Sequence, residues 1–484
     1  MFPWEPSGNP GESQAAGIAR VGAAGGKIAG TAQCMKSWTL GGCLCATVVT
    51  AANAQVLHHR DLLIGFSSGT QSGIYAVDPI SGTIRGLVSG SSMKSGWPPS
   101  APRGSGAVLS TQPSLVTTRS GGIYVAATSS SKPALARVDS ETGNRSAVIG
   151  GWPSYYSEAG ALALLDQRTI VAGSLVGVPQ KPGTYLGALF QMSLASNSYE
   201  QIAGGLMSEG PAFASPMSIA PISRSSFYVG DYPSFGASGP AVLKTSVQTH
   251  TTTITTIPSS QPILRSTVTG GNVSSSPVPF LPANYGSGPV CDSSAYRLAI
   301  VDGSLAVCVN SQLFGYTGGI VNVDDADGGR SLTYGFALDA QNQTVSSLPL
   351  NASDTFTTDP STILPYPNGE IIIAEWYPLS RIIAFNPSTR LYRVVADFST
   401  YYAPAGFGGS GKGLAIYTNC PADINLDGVA DDSDFSEFVV AYDILDCADA
   451  AMPLPCPSDL NADGLVDDSD FSIFVVGYDA LLCE

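Results

Sequence analysis

Two stretches near the C-terminus carry oxygen-bearing side chains at one repeated spacing. Asp423, Asn425, Asp427, Gly428, Asp431 and Asp434 form the pattern D-x-N-x-D-G-x-x-D-x-x-D. Asp459, Asn461, Asp463, Gly464, Asp467 and Asp470 repeat it 36 residues later, without a gap. Calcium takes roughly six to eight oxygen ligands at about 2.3–2.6 Å, so a short loop must turn positions 1, 3 and 5 inward and bend sharply at a glycine. A backbone carbonyl then supplies position 7, here Val429 and Leu465. Position 9 reaches the ion through water, and a carboxylate at position 12 closes the shell. The expected cofactor is therefore calcium, two ions.

The elements that must hold these loops are short. After each loop, apolar residues recur at helical spacing: Phe435, Phe438, Val439 and Tyr442 in the first copy, and the matching positions up to Tyr478 in the second. Each set predicts one helix with a buried stripe, and the two stripes predict a packed pair. Cys420 to Glu484 contains sixteen acidic residues and no Lys or Arg, against a whole-chain net charge of −16. The rest of the chain is neutral, so all of the excess sits in this tail. Carboxylates this dense repel one another unless cations neutralise them. A module this small depends on metal and disulfides for much of its folding free energy. Cys420, Cys447, Cys456 and Cys483 flank the two copies, and their three possible pairings stay open.

The loop spacing is that of an EF-hand calcium loop with Asp at its last position. The segment 420–484 resembles a dockerin of the cysteine-flanked, GC-type kind found at the end of large secreted bacterial proteins. That resemblance implies a docking role toward a cohesin-like or cell-surface anchoring protein. It also implies partner contacts at loop positions 10 and 11, here Asp432 with Ser433 and Asp468 with Ser469. The cysteine flanks and Ala430, where an aliphatic residue is usual, depart from the classical pattern.

Residues 55–419 read differently. A short apolar strand, a polar turn and a second strand recur at Ile74–Asp78, Ala136–Asp139 and Ile382–Asn386, with weaker copies at Leu189–Tyr199, Val242–Thr252 and Phe336–Thr344. Asp or Asn opens each clear turn, where its side chain accepts backbone hydrogen bonds, and Gly follows where positive φ is needed. The markers Asp78, Asp139, Ser193, Ser246, Asp339 and Asn386 are spaced by 61, 54, 53, 93 and 47 residues. Units of roughly 40 to 50 residues with several strands each predict propeller blades. The long gap leaves room for a degenerate unit using Tyr296–Val301 and Ser304–Asn310. The expected fold is mainly β: a six- or seven-bladed β-propeller followed by a small helical calcium-binding domain. A β-sandwich array or a solenoid is the alternative. The strand Gly413–Tyr417 is expected to pair with Leu62–Phe66 and close the ring.

No catalytic residue is assigned. The three histidines, His58, His59 and His250, form no zinc-type or nucleophile-base constellation, and His58 and His59 are expected in a mobile terminus or on an exposed strand face. Glu370 and Glu375 are candidate glycosidase carboxylates, but a five-residue spacing along one strand puts them on opposite faces. Asp324, Asp325 and Asp327 form an acidic turn. With no basic patch to release phosphate counterions, nucleic acid is not an expected partner.

Met35 to Ala54 has the three parts of a secretory signal peptide, with Met35 as the true start and residues 1–34 an unstructured upstream extension. Leu40 to Cys43 also resembles a lipoprotein box, a weaker match because most of the apolar run follows the cysteine. Cleavage after Ala54 leaves an even set of cysteines, adding Cys291 and Cys308 to the four of the tail. An even set fits disulfide pairing outside the cell. No later segment is apolar over the roughly 20 residues a membrane helix needs. The reading is a secreted, non-catalytic protein whose propeller binds a polysaccharide or protein and whose tail anchors it. The rival is a polysaccharide-degrading hydrolase or lyase on the propeller.

Overall fold

The blade phrase read from the sequence is built of strands that are buried on both faces. In Ile371–Glu375 all five residues are buried, and Ile382 to Phe385 in the next strand are buried too. A continuous apolar run of this kind requires protein above and below the sheet. Each fully buried Ile contributes about 1.5–3 kcal/mol relative to exposure.

A computed structural model describes residues 57–483 except 69–70, 89–103, 111–112, 130–131, 151–155, 178–184, 205–209, 212, 214, 232–240, 257–262, 266, 270–271, 274–277, 281–286, 290–293, 312–316, 340–342, 354–357, 376–379, 399–409 and 481–482. The expected upstream extension and signal peptide, and Cys291, lie outside the described residues. The described chain belongs to one unit from Ala54 to Glu484.

Six antiparallel sheets form the blades of a propeller. Their inner strands are Ser410–Ile416, Leu115–Thr117, Tyr156–Asp166, Pro216–Ser223, Ser294–Val301 and Pro360–Pro365, in blades one to six. Six apolar clusters fill the six junctions between neighbouring blades, and the last joins blade six to blade one. In that last cluster Phe66 of blade one stacks on Phe398 of blade six, with ring centroids 5.5 Å apart. Ring closure follows the expected pairing: Leu62 stands opposite Ile416 and Ile64 opposite Leu414, so the last strand completes the sheet begun by the first. Closure hides the edges that an open array would expose.

The residues read as a possible seventh unit belong to blade five. Ser294–Val301 and Ser304–Ser311 are its first two strands. Its turn equivalent to Asp78 and Asp139 is Asp324, which accepts the N–H of Gly328 on its carbonyl, as Asp78 does from Gly82 and Asp139 from Gly143. Asp339 instead opens an extra hairpin to a fifth strand, Thr344–Ser347. Short strands between Ile263 and Phe280 precede the blade and account for the rest of the long gap. Asp325 of the acidic turn is ion-paired with Lys244.

Cys308, expected among the disulfide cysteines, is a free buried thiol. Its side chain packs in the junction of blades five and six with Ile320, Tyr334 and Phe385. The same junction holds Glu375, whose carboxylate is ion-paired with Arg381 and accepts from the hydroxyl of Thr358. Burial pushes its carboxyl above the usual range, against the pull of Arg381. Glu370 lies outside the strand, in the preceding turn, and is bound 2.8 Å from Arg393. Each candidate carboxylate is thus held by its own arginine.

The tail forms two 13-residue helices, α1 (Asp432–Ile444) and α2 (Asp468–Ala480). They cross at Phe438 and Phe474, whose rings stack at 5.1 Å, and Phe438–Phe471 and Phe435–Phe474 flank that contact as symmetry-related pairs. The buried stripe is narrower than the periodicity implied. Phe438 and Ala441 are buried, but Phe435 and Val439 are two-fifths exposed. Asp434 takes part of the buried face instead: its carboxylate accepts the N–H groups of Asn425 and Asp431 in its own loop. Cys420 bonds Cys483 and Cys447 bonds Cys456. The first bridge closes a separation of 63 residues, for which chain entropy gives a stabilisation of about 4 kcal/mol.

Removing one partner of a buried ion pair strands the other. Glu375→Ala is expected to lower stability by about 3–5 kcal/mol in urea unfolding. The double variant Glu375→Met with Arg381→Met should recover most of that loss. A double variant no more stable than Glu375→Ala would refute this account of the junction.

Candidate metal centre

Both loops fold onto their own side chains in the same way. Position 3 receives the N–H of position 5: Asp427 to Asn425 at 2.8 Å, and Asp463 to Asn461 at 2.7 Å. Position 5 receives the N–H of position 7: Val429 to Asp427 at 3.0 Å, and Leu465 to Asp463 at 2.9 Å. Position 1 receives the glycine N–H: Gly428 to Asp423 at 2.9 Å, and Gly464 to Asp459 at 3.0 Å. These glycines have φ of +103° and +95°, a region that side chains with a Cβ rarely enter.

The end of each loop is also the start of a helix. Asp431 caps α1 by accepting from Ser433, while Asp434 accepts from the N–H of Asp431 at 2.9 Å, which is a capping box. Asp467 and Asp470 repeat this before α2. The second oxygen of Asp434 takes the N–H of Asn425 at 2.9 Å, and that of Asp470 the N–H of Asn461, also at 2.9 Å. Positions 9 and 12 therefore set loop shape and helix start together.

This folding draws three carboxylates into one place in each loop. Oxygens of Asp423, Asp427 and Asp434 lie within 4.8 Å of one another, as do those of Asp459, Asp463 and Asp470. Asp423, Asp434, Asp459 and Asp470 are all fully buried. Burial, with further pressure from the charges of Asp470 and Asp463, pushes the Asp459 carboxyl up to about 6 despite two backbone N–H bonds. Burial likewise raises Asp434. Like charges this close disfavour joint ionisation unless a cation joins them. Asp423 adds a sharper sign: its Oδ1 is buried and has no hydrogen-bond donor, which for a carboxylate oxygen calls for a ligand. Hard oxygen donors in this number and arrangement fit a divalent cation of the calcium class. Asp432, Ser433, Asp468 and Ser469 are exposed beside the centre. Asp432 accepts from the hydroxyl of Tyr478, and Asp468 accepts from that of Tyr442 at 2.6 Å.

Residues of the propeller complete the surroundings, and the sequence reading missed them. Arg60 donates to the carbonyl of Asp427, and Arg168 to the carbonyl of Asp463, the same position of the two loops. Arg119 donates to the carbonyls of Asp423 and Ile424 at 2.7 and 2.6 Å, and burial pulls its guanidinium down to about 10. His59, expected in a mobile terminus or on an exposed face, is held: its side chain is 2% exposed and its Nε2 lies 2.6 Å from Asp423 Oδ2. Its Nδ1 takes the N–H of Asn419, so Nε2 carries the proton and donates. With Oδ2 occupied, Oδ1 is the Asp423 oxygen left without a donor. The usable signal was positional: Arg60, Arg119 and Arg168 each stand just ahead of the second strand, in blades one, two and three. That recurrence is visible only once the blades are in register.

The inner strands bury small residues such as Ala161, Ser218 and Thr362. Arg297 of blade five reaches the carbonyls of Met217 and Gly160 in blades four and three. No helix among the described residues is long and apolar enough to cross a membrane. The two disulfides of the tail place its folding in an oxidising compartment, extracellular or periplasmic.

No protein-family profile matches the chain, and no curated protein matches it. Among solved structures, TolB from Acinetobacter baumannii aligns at 10% identity over 74% of this chain and 67% of its own, with a TM-score of 0.41. A chain of a nidogen/laminin complex aligns at 11% identity over 74% of this chain and 98% of its own, also at 0.41. A protein of unknown function from Bacteroides caccae aligns at 10% identity over 74% and 99%, with the same score. Likeness at this level carries no argument by itself, and the six-bladed propeller rests on the sheet order and the closed ring.

Proposed function

We propose that this is a secreted, non-catalytic binding protein, led out by the signal peptide at 35–54, whose dockerin-like tail binds two calcium ions and anchors the propeller to a cohesin-like or cell-surface protein. The observation that carries this reading is the donorless, buried Oδ1 of Asp423 inside a three-carboxylate cluster, in a loop built twice over. One ion takes Asp423, Asn425, Asp427, the Val429 carbonyl and Asp434, with Asp431 through water. The other takes Asp459, Asn461, Asp463, the Leu465 carbonyl and Asp470, with Asp467 through water.

The docking half of the reading is supported by the outer surface of the helices. Val440 is 59% and Val476 74% exposed, at matching positions of α1 and α2. With the exposed Asp432, Ser433, Asp468 and Ser469 they give the helices apolar and polar groups together, the mixture found in protein contact surfaces. The propeller is then the presented part, with a polysaccharide or protein as its ligand.

Calorimetry on the full chain should find two calcium ions, one in Asp423→Ala, one in Asp459→Ala and none in the double variant. Calcium at 100 times its Kd should stabilise the tail by about 2.7 kcal/mol per site. A stoichiometry unaffected by these substitutions would sink the assignment. For docking, the full chain immobilised on beads should retain a specific protein from native extracellular material in calcium and release it in chelator. Val440→Asp with Val476→Asp should abolish retention while leaving calcium binding intact. Equal retention by wild type and variant would show that the helix surface is not the docking surface.

A further inference from the structure

The excess negative charge of the tail meets a row of arginines that the propeller repeats from blade to blade. Arg60, Arg119, Arg168 and Arg224 occupy the same place in blades one to four, just ahead of the second strand. Arg224 is taken up by Asp166 at 2.6 Å. The other three bind the tail through backbone carbonyls of the loops rather than carboxylates. The carboxylates stay available to a metal, while the arginines read the loop's folded shape. Gly428 also matters to this approach: a Cβ there would stand 2.7 Å from Arg60 Nη1, whereas one on Gly464 would make ordinary contact with Arg168 Nη1 at 3.4 Å.

The contact falls on the seam of the ring. Arg60 N–H donates to the carbonyl of Tyr417 and Tyr417 N–H to that of Asp61, both at 2.8 Å, continuing the pairing of the first and last strands beyond the sheet. His59 and Arg60 enter the first strand, and Thr418 and Asn419 leave the last. His59 joins Asn419 and Asp423, while Thr418 donates to the carbonyl of Thr118 in blade two at 2.9 Å. The guanidinium of Arg60 lies 5.2 Å from the ring of Tyr366 in blade six. The tail thereby touches the segment that enters the first strand and blades two and three at once, and Gln167 adds a bond to Pro455 at 3.2 Å.

We infer that the tail is a clasp on the seam of the propeller, received by Arg60, Arg119 and Arg168, so that filling the loops with calcium tightens ring closure. This rests on the calcium reading above for its metal dependence. Empty, each loop holds three mutually repelling carboxylates, and the carbonyls that the arginines bind move with it. A bound cation fixes those carbonyls. By linkage, a closed ring must raise the calcium affinity of the loops by the same factor that calcium favours closure.

Hydrogen exchange of the full chain, followed at 62–68 and 410–416 with calcium and with chelator, tests this alongside calorimetry. Calcium is expected to slow exchange at the seam about tenfold. In a chain carrying Arg60→Gln, Arg119→Gln and Arg168→Gln, calcium should still bind and protect Gly428 and Gly464 but leave the seam unchanged. Protection of the loops without any slowing at the seam in the wild type would overturn the clasp. If calorimetry finds no calcium, the metal reading fails, and the chelator arm still decides the clasp: equal seam exchange in wild type and triple variant refutes it. The wild-type comparison needs no substitution, so a misfolded variant does not protect the idea.

Discussion

Pairing of Ser410–Ile416 with Leu62–Ser68 is the contact on which the rest of the molecule depends. It joins residues more than three hundred positions apart, so its loop-closure cost falls before any local contact offsets it. The return comes from the apolar junctions on both sides of blade one, where Leu63 and Ile74 meet blade two and Phe66 and Tyr75 meet blade six. The same closure brings the segment before the first strand beside the segment after the last. His59 therefore touches Asp423 without any local sequence relation between them.

Charge explains why the tail lies on this face. Isolated surface ion pairs contribute only about 0–1 kcal/mol, because water screens them and long side chains lose freedom. The arginines here avoid both costs in part. Arg60 is packed against Tyr366, Arg119 is drawn out of water, and each donates to carbonyls that a folded loop holds still. A set of directed bonds to backbone reads loop conformation in a way that charge attraction alone does not. The neutral propeller and the acidic tail are thus complementary locally, where the net charge of the propeller says nothing.

Much of this was legible in the residues. The turn rule found Asp78, Asp139 and Asn386 because a carboxylate or amide accepting local N–H groups is a property of four residues, and the closing strand was found because its apolar run had no other partner. Blade five misled because Asp339 satisfies the same turn rule in an extra hairpin, while the true marker, Asp324, looked like an acidic cluster. The shared bend of the two loops was readable from spacing, since oxygen-bearing side chains at alternate positions and a glycine at the turn define it locally. The arginine row was not, since position within a blade is defined only by pairing partners far away in the chain. Phe435 and Val439 show the limit of periodicity: it places residues on an arc, but the buried Asp434 takes part of the inward face.

Two loops of nearly identical sequence end up in different electrostatic settings, because the tail has an approximate two-fold symmetry and the propeller does not share it. Arg60 and Arg168 satisfy the symmetry, each donating to position 5. His59 and Arg119 break it, since both act on Asp423 and its neighbour, and among the described residues no histidine or arginine is bonded to Asp459 in the same way. Asp423 has its Oδ2 bonded by an imidazole N–H and the N–H of Gly428 and its Oδ1 without a donor, whereas both oxygens of Asp459 take backbone N–H groups and burial drives that carboxyl up to about 6. Duplication made the loops alike, and docking on an asymmetric surface made them distinct. The first loop is the one wired to the seam, and the second is the one whose carboxylates carry their mutual repulsion with less help from the propeller.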